Sequence, residues 1–340
     1  MANNRIYWAV QAVGFAPIGT STFTEVHGLQ SVGITTTFNL EQVFEIGQIA
    51  IYENIEDLPD VEVTLEKVLD GYPLMYHLAT RGYATGSLAG RSNAKTQVAL
   101  SIFGDVQDSA SGTPVAQCTM SGLYCNSISY SMPVDGSFTE SVTLVGNNKV
   151  WANTGFTFTG TIFDNTDTPL SAASGTGGVQ RRENFDLVTS RLPGGAGGVA
   201  GISSSGTLDT DNEGVPFCKL QNVSVSVDLG RDALNTLGKR NPYFRFVNFP
   251  VEVNCEIEAI SLSGDWISAT EDGVAGDGNN LFAQSIIVAV EEGTNINLGS
   301  QCKLANVSMG GADAGGGNKT NSYTYTTFND FTVSHPLDPG

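Results

Sequence analysis

Leu29-Gln30-Ser31-Val32-Gly33-Ile34-Thr35-Thr36-Thr37-Phe38 and Leu220-Gln221-Asn222-Val223-Ser224-Val225-Ser226-Val227-Asp228-Leu229 decide how this chain is read. Both stretches alternate apolar with small or polar residues, as half-buried strands do. One constant offset carries Leu29-Gln30 onto Leu220-Gln221 and Phe38 onto Leu229, and then Glu41 onto Asp232, Gly47 onto Gly238 and Pro59 onto Pro250. After a one-residue gap, Val61-Glu62-Val63 meets Val251-Glu252-Val253. Two further blocks recur in the same order: Gln97 to Ile102 resembles Gln284 to Ala289, and Gln117 to Met120 resembles Gln301 to Leu304. An internal repeat outranks any short motif as a guide to architecture. The expectation is a mainly β chain of two similar β-sandwich or barrel modules, each with a short helix, joined by a Gly/Ser-rich segment.

The repeat sets the boundaries: an N-terminal strand or arm at 1–19, a first module at 20–155, a linker or insertion at 156–214, a second module at 215–335 and a tail at 336–340. In each copy the opening strand, Val32 to Phe38 or Val223 to Val227, leads into Asn39 to Ile46 or Gly230 to Leu237. There an acidic first turn and a following Gly47 or Gly238 predict one or two helical turns with a glycine cap. A Pro-led strand follows, Val61 to Leu65 or Val251 to Ile257. The later strands of the first copy are Thr96 to Phe103, Tyr124 to Ser131 and Phe138 to Val145, with Asp135-Gly136 as a hairpin turn. Those of the second are Ser285 to Val290, Lys303 to Met309 and Ser322 to Val333, with a loop at Gly310 to Gly317. The stretch Ser171 to Gly206, including Gly194-Gly195-Ala196-Gly197-Gly198, predicts a flexible linker.

Composition excludes several functions. The 340 residues carry 40% hydrophobic and only 15% charged residues, so the chain should fold rather than remain disordered. Its formal net charge of -19, shared nearly evenly by the two halves, argues against a basic grip on nucleic acid. The longest apolar run, Ile6 to Ala16, is too short to span a bilayer and lacks the flanks of an export signal, so no membrane role is expected. Cys118, Cys125, Cys218, Cys255 and Cys302 have no CxxC pair or zinc spacing and predict buried thiols.

The search for chemistry finds no catalytic set. His27, His77 and His335 are scattered and no GxSxG elbow occurs. The linker glycines are not followed by a helix, so they make no nucleotide cradle. Asp209 to Gly214 matches the first half of an EF-hand loop, but Leu220 stands where the bidentate Glu belongs, and Glu271 to Asn280 is acidic without diagnostic spacing. No enzyme activity, metal or cofactor is expected. Glu62, Glu252, Glu256 and Glu258 alternate with apolar residues, as a solvated strand face would.

A charge contrast is more telling. The first copy's excursion carries Glu41, Glu45, Glu53, Glu56 and Asp57, while the second carries Arg231, Lys239, Arg240 and Arg245. These nine residues are the candidate inter-subunit or inter-ring interface, where complementary charge would fix register.

Three stretches, Val223 to Val227, Arg231 to Gly238, and Asn241 through Phe249 to Val253, resemble the tail-tube proteins of long-tailed double-stranded DNA bacteriophages. So do Val32 to Gly47 and Ser127 to Gly146. The resemblance implies a β-sandwich with a flanking helix in each module, and six modules closing into a ring whose inner strands form one barrel. For a duplicated chain it implies trimeric, pseudo-hexameric rings stacked into a tube through which DNA passes without specific binding. It also implies a place in the virion tail, assembly in the host cytoplasm, and terminator, tape measure and distal tail proteins as partners. The alternatives are a distal tail or baseplate hub ring of the same fold, or a β-sandwich adhesin or carbohydrate-binding protein. Tyr72, Tyr76, Tyr83, Tyr323 and Tyr325 are the candidate aromatic cluster for the last.

Overall fold

The structure, a computed structural model, describes residues 5–20, 22–81, 88–91, 93–105, 107, 114–152, 163–164, 178–189, 220–239, 242–260, 283, 285–310 and 317–338. Outside them lie Arg240, Cys218, Tyr83, the Gly194 to Gly198 run, Asp209 to Gly214, Glu271 to Asn280 and most of the Gly310 to Gly317 loop.

The first half runs β1 (Gln11–Pro17), β2 (Phe23–Glu25), β3 (Leu29–Thr37), β4 (Leu40–Phe44), β5 (Ile51–Glu56), β6 (Asp60–Val68), α1 (Met75–Ala79), α2 (Leu88–Arg91), β7 (Thr96–Ile102), β8 (Ala116–Pro133), β9 (Thr139–Gly146) and β10 (Asn148–Ala152). The rest is β11 (Phe163–Asp164), β12 (Phe185–Thr189), β13 (Leu220–Asp228), β14 (Arg231–Leu234), β15 (Phe244–Val247), β16 (Glu252–Ile260), β17 (Ile286–Val290), β18 (Asn295–Asn297), β19 (Lys303–Gly310), β20 (Thr320–Phe328) and β21 (Thr332–Ser334). The chain is mainly β, as expected.

One antiparallel run, β3-β6-β9-β8-β13-β16-β20-β19, crosses both halves of the chain. Behind it stand β2-β1-β7-β8-β10 in the first half and β12-β17-β18-β21 in the second. Strand β8 belongs to both layers: Ala116 to Leu123 pairs with β7, and Tyr124 to Ser131 pairs with β9. Period-two alternation fills the space between layers with Val61, Val63, Leu65, Val142, Leu144, Val253, Cys255 and Ile257, all essentially inaccessible. Burying such side chains contributes about 1.5 to 3 kcal/mol each.

The two ladders share one register. Val32↔Leu65 and Ile34↔Val63 in the first answer to Val223↔Ile257 and Val225↔Cys255 in the second. Irregularities fall at Leu29/Ser31 and Leu220/Asn222, and again at Cys125/Ser127 and Leu304/Asn306. Thr36↔Val61 thus matches Val227↔Val253, which corrects the expected match of Val61 with Val251. The excursion from Asp228 to Glu252 is one residue longer than that from Thr37 to Asp60, so the gap falls the other way.

The expected helices at Asn39 to Ile46 and Gly230 to Leu237 are instead the β-hairpins β4/β5 and β14/β15. Val43, Phe44 and Ile51, and Phe244 and Phe246, are strand formers that find cross-strand partners a helix would not provide. Gly47 (φ 96°) and Gly238 (φ 81°) serve the hairpin turns rather than helix caps. The short helices α1 and α2 lie between β6 and β7, and among the described residues of the second half no α-helix occurs, only a 3-10 turn at Arg182–Asn184. Ser322 to Val333, expected as one strand, breaks into β20 and β21 at Asn329, whose φ is 59°. Within the segment expected as a linker, Phe185 and Leu187 lie on β12, which pairs with β17.

Candidate assembly surfaces

The outer face of the long sheet is mostly polar, with Phe328 opposite Glu252 and Val145 opposite Glu62 among its apolar residues. Strands β8, β9, β13 and β20 turn Ser127, Ser129, Ser131, Ser141, Thr143, Ser224, Ser226, Ser322 and Thr324 outward, each opposite another small polar or acidic residue. Strands β6, β13 and β16 add Asp60, Glu62, Glu66, Asp228, Glu252, Glu256 and Glu258 to that face. Among the described residues of the long sheet, Lys303 on β19 is the one cation turned the same way, opposite Thr326. Hydroxyls support the acids: Ser322 Oγ donates to Glu256 Oε1 at 2.6 Å. The carboxylates read from the sequence as a solvated strand face therefore share one surface.

The two hairpins leave the same end of this sheet but differ in attachment. Hairpin β14/β15 is fastened to the first half. Arg245 donates to Asp60 at 2.8 Å and to Asn147 Oδ1 at 3.0 Å, and Arg231 Nε donates to the Cys125 carbonyl at 2.8 Å while its guanidinium lies 5.1 Å from the Tyr124 ring. Burial opposes ionisation of Asp60, yet hydrogen bonds from Asn39, Arg245 and Asn147 hold its pKa below the ordinary value. Lys239 is exposed at the hairpin turn. A cleft of about 740 Å³ opens beside this hairpin, walled by Lys95, Tyr124, Tyr243, Phe244 and Arg245. Among the described residues, β4 and β5 form a separate two-stranded sheet, with Glu41, Glu45, Glu53, Glu56 and Asp57 all exposed. Thus Arg231 and Arg245 have partners within the chain, in Cys125, Asp60 and Asn147.

Junction and edges differ sharply in exposure. Where β8 meets β13, Tyr130 and Leu229 are each 1% exposed, and Phe331 beside β21 is 1% exposed. The residues at corresponding ladder positions near the free edges β19, β3 and β10 are Met309 at 57%, Phe38 at 70% and Val150 at 51%.

A buried polar knot behind β6 and β9 escaped the sequence reading. Glu140 accepts from the amides of Met75 at 2.7 Å and Tyr76 at 3.0 Å and from Tyr130 Oη at 3.0 Å, opposite Lys67 in the ladder. Burial pushes the Glu140 carboxyl up against the pull of Lys67 and these donors. Lys67 Nζ donates to the Pro73 carbonyl and pairs with Asp70 at 3.1 Å. The signal was available: Lys67 and Glu140 occupy the apolar parity of their strands.

The histidines serve packing. His27 stacks on Tyr72 at 4.0 Å, and His77, wholly buried, meets the Val333 carbonyl at 3.1 Å. Burial depresses His77 and His335 to about 4. Cys118, Cys125, Cys255 and Cys302 are free and buried, with burial raising Cys125 and Cys255 to about 12. Tyr76, Tyr323 and Tyr325 are core residues, which removes them from any exposed aromatic cluster. Among the described residues no group of three or more His, Cys, Asp or Glu could hold a metal ion, and no helix is long and apolar enough to cross a membrane.

No family model matches the chain, and no curated protein matches it. Among solved structures, it is similar to a chain of the anti-feeding prophage baseplate, six-fold symmetrised, with a TM-score of 0.33 and 12% identity over 45% of this chain and 99% of that one. A chain of the anti-feeding prophage tube-terminating cap gives 0.33 and 11% over 45% and 94%. A chain of the sheath-tube complex of an extracellular contractile injection system, PVC, in its extended state gives 0.33 and 10% over 45% and 94%.

Proposed function

We propose that this chain is a structural protein of a phage-type tail, a tandem duplication of one β module whose copies close into rings that stack as the tail tube. The observation that carries the reading is the match between the buried β8·β13 junction and the exposed edges. Strand β19 occupies in the second ladder the place of β8, and β3 occupies in the first the place of β13. Pairing β19 of one copy with β3 of the next repeats the internal junction, covers Met309 and Phe38, and removes both unpaired edges. The contact is head-to-tail, so it repeats until a ring closes. Three copies, giving six modules, bring together roughly 24 strands at about 4.8 Å, or a backbone ring at least about 37 Å across. This leaves room for duplex DNA. The polar acidic face becomes the bore, and its carboxylates repel phosphates, so DNA slides without specific binding. Terminator, tape measure and distal tail proteins are the partners expected for such a tube in the virion.

The internal register, Ser129↔Ser226, predicts Ser308 opposite Thr35 of the neighbouring copy. Directly opposed residues lie within disulfide reach. The double variant Ser308→Cys/Thr35→Cys should give, on mild oxidation and non-reducing gels, a ladder ending at a closed trimer. Negative-stain microscopy should show rings with a central hole. Monomeric particles with no crosslink above either single variant would overturn the reading.

A further inference from the structure

The cleft beside hairpin β14/β15 is chemically unlike the rest of the molecule. Its volume of about 740 Å³ falls within the range of ligand sites. One wall is Tyr243, Phe244 and Arg245 of the second half; the other is Lys95, just ahead of β7, and Tyr124 on β8. Among the described residues no aspartate or glutamate lines it, although the chain carries a net charge of -19.

Charge and ring faces converge there. Lys95 Nζ lies 5.6 Å from the Tyr124 ring and 5.3 Å from the Phe244 ring. Its side chain is exposed and, among the described residues, makes no ion pair. A cation over ring faces is held in place without being neutralised, so it keeps its attraction for a carboxylate. The two rings meet edge to face at 5.3 Å, and Tyr243 beside them is 65% exposed, ready to pack against another ring. Arg245 spends one nitrogen on Asp60 and Asn147, while its buried Nε has no hydrogen-bond partner. Such a wall favours an incoming acceptor. Asn148 and Ser121, joined at 2.6 Å, add an amide and a hydroxyl that suit a peptide backbone, which carries both donors and acceptors.

We infer that this cleft is a docking site for an acidic peptide segment of a partner protein, an aromatic residue of the segment packing on Tyr243 and Phe244 while its carboxylates meet Lys95 and the Arg245 wall. Repulsion from the acids over the rest of the surface disfavours other landing places. The site is complete within one chain and does not depend on ring closure. Its two walls come from different halves, so each chain has one. On hairpin β4/β5 the ladder positions of Phe244 and Arg245 are held by Glu53 and Asn54, which turn an acidic segment away. A ring of three chains therefore seats three such partners rather than six.

The test is fluorescence anisotropy of a labelled peptide, one central tryptophan flanked by aspartates, titrated with the full chain. The expected result is saturable binding of one peptide per chain, weakened about tenfold in Lys95→Glu and in Tyr243→Ala. Lys303→Glu, which reverses an exposed cation elsewhere, should bind as wild type does. The same peptide with lysines in place of its aspartates should not bind. No saturable binding by wild type would overturn the inference, as would equal losses in Lys95→Glu and Lys303→Glu. A thymidine oligonucleotide bound more tightly than the peptide would overturn it in favour of a phosphate site. Lys95, Tyr243 and Lys303 are all exposed, and matching melting temperatures of the variants separate lost binding from lost fold.

Discussion

The β8·β13 junction and the pair of edges β19 and β3 present the same ladder positions, once with a partner and once without. At the junction, Tyr130 and Leu229 are sealed; at the edges, Met309 and Phe38 are open to solvent. Apolar side chains in a row along an unpaired strand invite pairing, and native proteins ordinarily blunt such edges with charge, proline or a cover. Here neither β3 nor β19 has a charged residue midway along it. The comparison teaches that the chain makes this pairing once internally and leaves the same strand positions unpaired at β19 and β3, which is what the proposed ring would complete.

The largest expected effect breaks the finished copy. Tyr130→Ala empties a packed site and strips a donor from the buried Glu140, and should cost about 3 to 5 kcal/mol in urea unfolding. Met309→Ala, at the corresponding edge position, should leave the separate chain within about 0.5 kcal/mol of wild type while weakening ring formation. Equal losses in the separate chains would mean that the two positions are not counterparts.

A smaller effect sharpens the contrast between the hairpins. Arg245→Ala removes the ties to Asp60 and Asn147, but Asp60 is 54% exposed, so after solvent screening the loss should be near 1 kcal/mol. It should appear as faster amide exchange across Phe244 to Val247. Asn54→Ala, at the corresponding place in β5, should leave exchange in β4/β5 of the separate chain unchanged.

A further effect is on pH. His77 and His335 lie at the junction beside β21 and are held neutral by burial, with folded values near 4 against 6.5 when free. The unfolded chain takes up protons that the folded chain refuses, so their contribution is whole above pH 6.5 and declines as pH falls toward 4. Glu140, raised by burial, acts in the opposite sense, because its penalty grows as pH rises above its unfolded value. Urea midpoints should therefore fall less steeply from pH 6.5 to 4 in His77→Gln/His335→Gln than in wild type. Parallel slopes would assign the acid response to other groups.

The matching ladders were legible because period-two alternation marks both: Val223, Val225 and Val227 hold the ladder positions that Val32, Ile34 and Thr36 hold. The hairpins were misread because Glu41, Glu45 and Gly47 mimic a helix start and cap locally, whereas their strand character depends on partners such as Ile55 and Glu53 across the turn. The acidic strand face was legible from alternation, but its extent was not, since gathering Glu62 and Glu256 on one surface requires the β8·β13 crossing. Arg231 and Arg245 could be counted as charges, but their ties to Cys125, Asn147 and Asp60 depend on contacts far apart in the chain.

Strand β8 runs through both layers without a break in the chain, turning at the irregularity between Cys125 and Ser127. Its ladder bonds lie across the strand, so a pull along the strand loads the β8·β13 pairing in shear, where bonds yield together instead of unzipping singly. The same strand carries that load directly into the outer layer through β7 and β10. In mechanical terms β8 is a tie rod, and a wall built from this chain would resist stretching along its strands better than peeling at its edges.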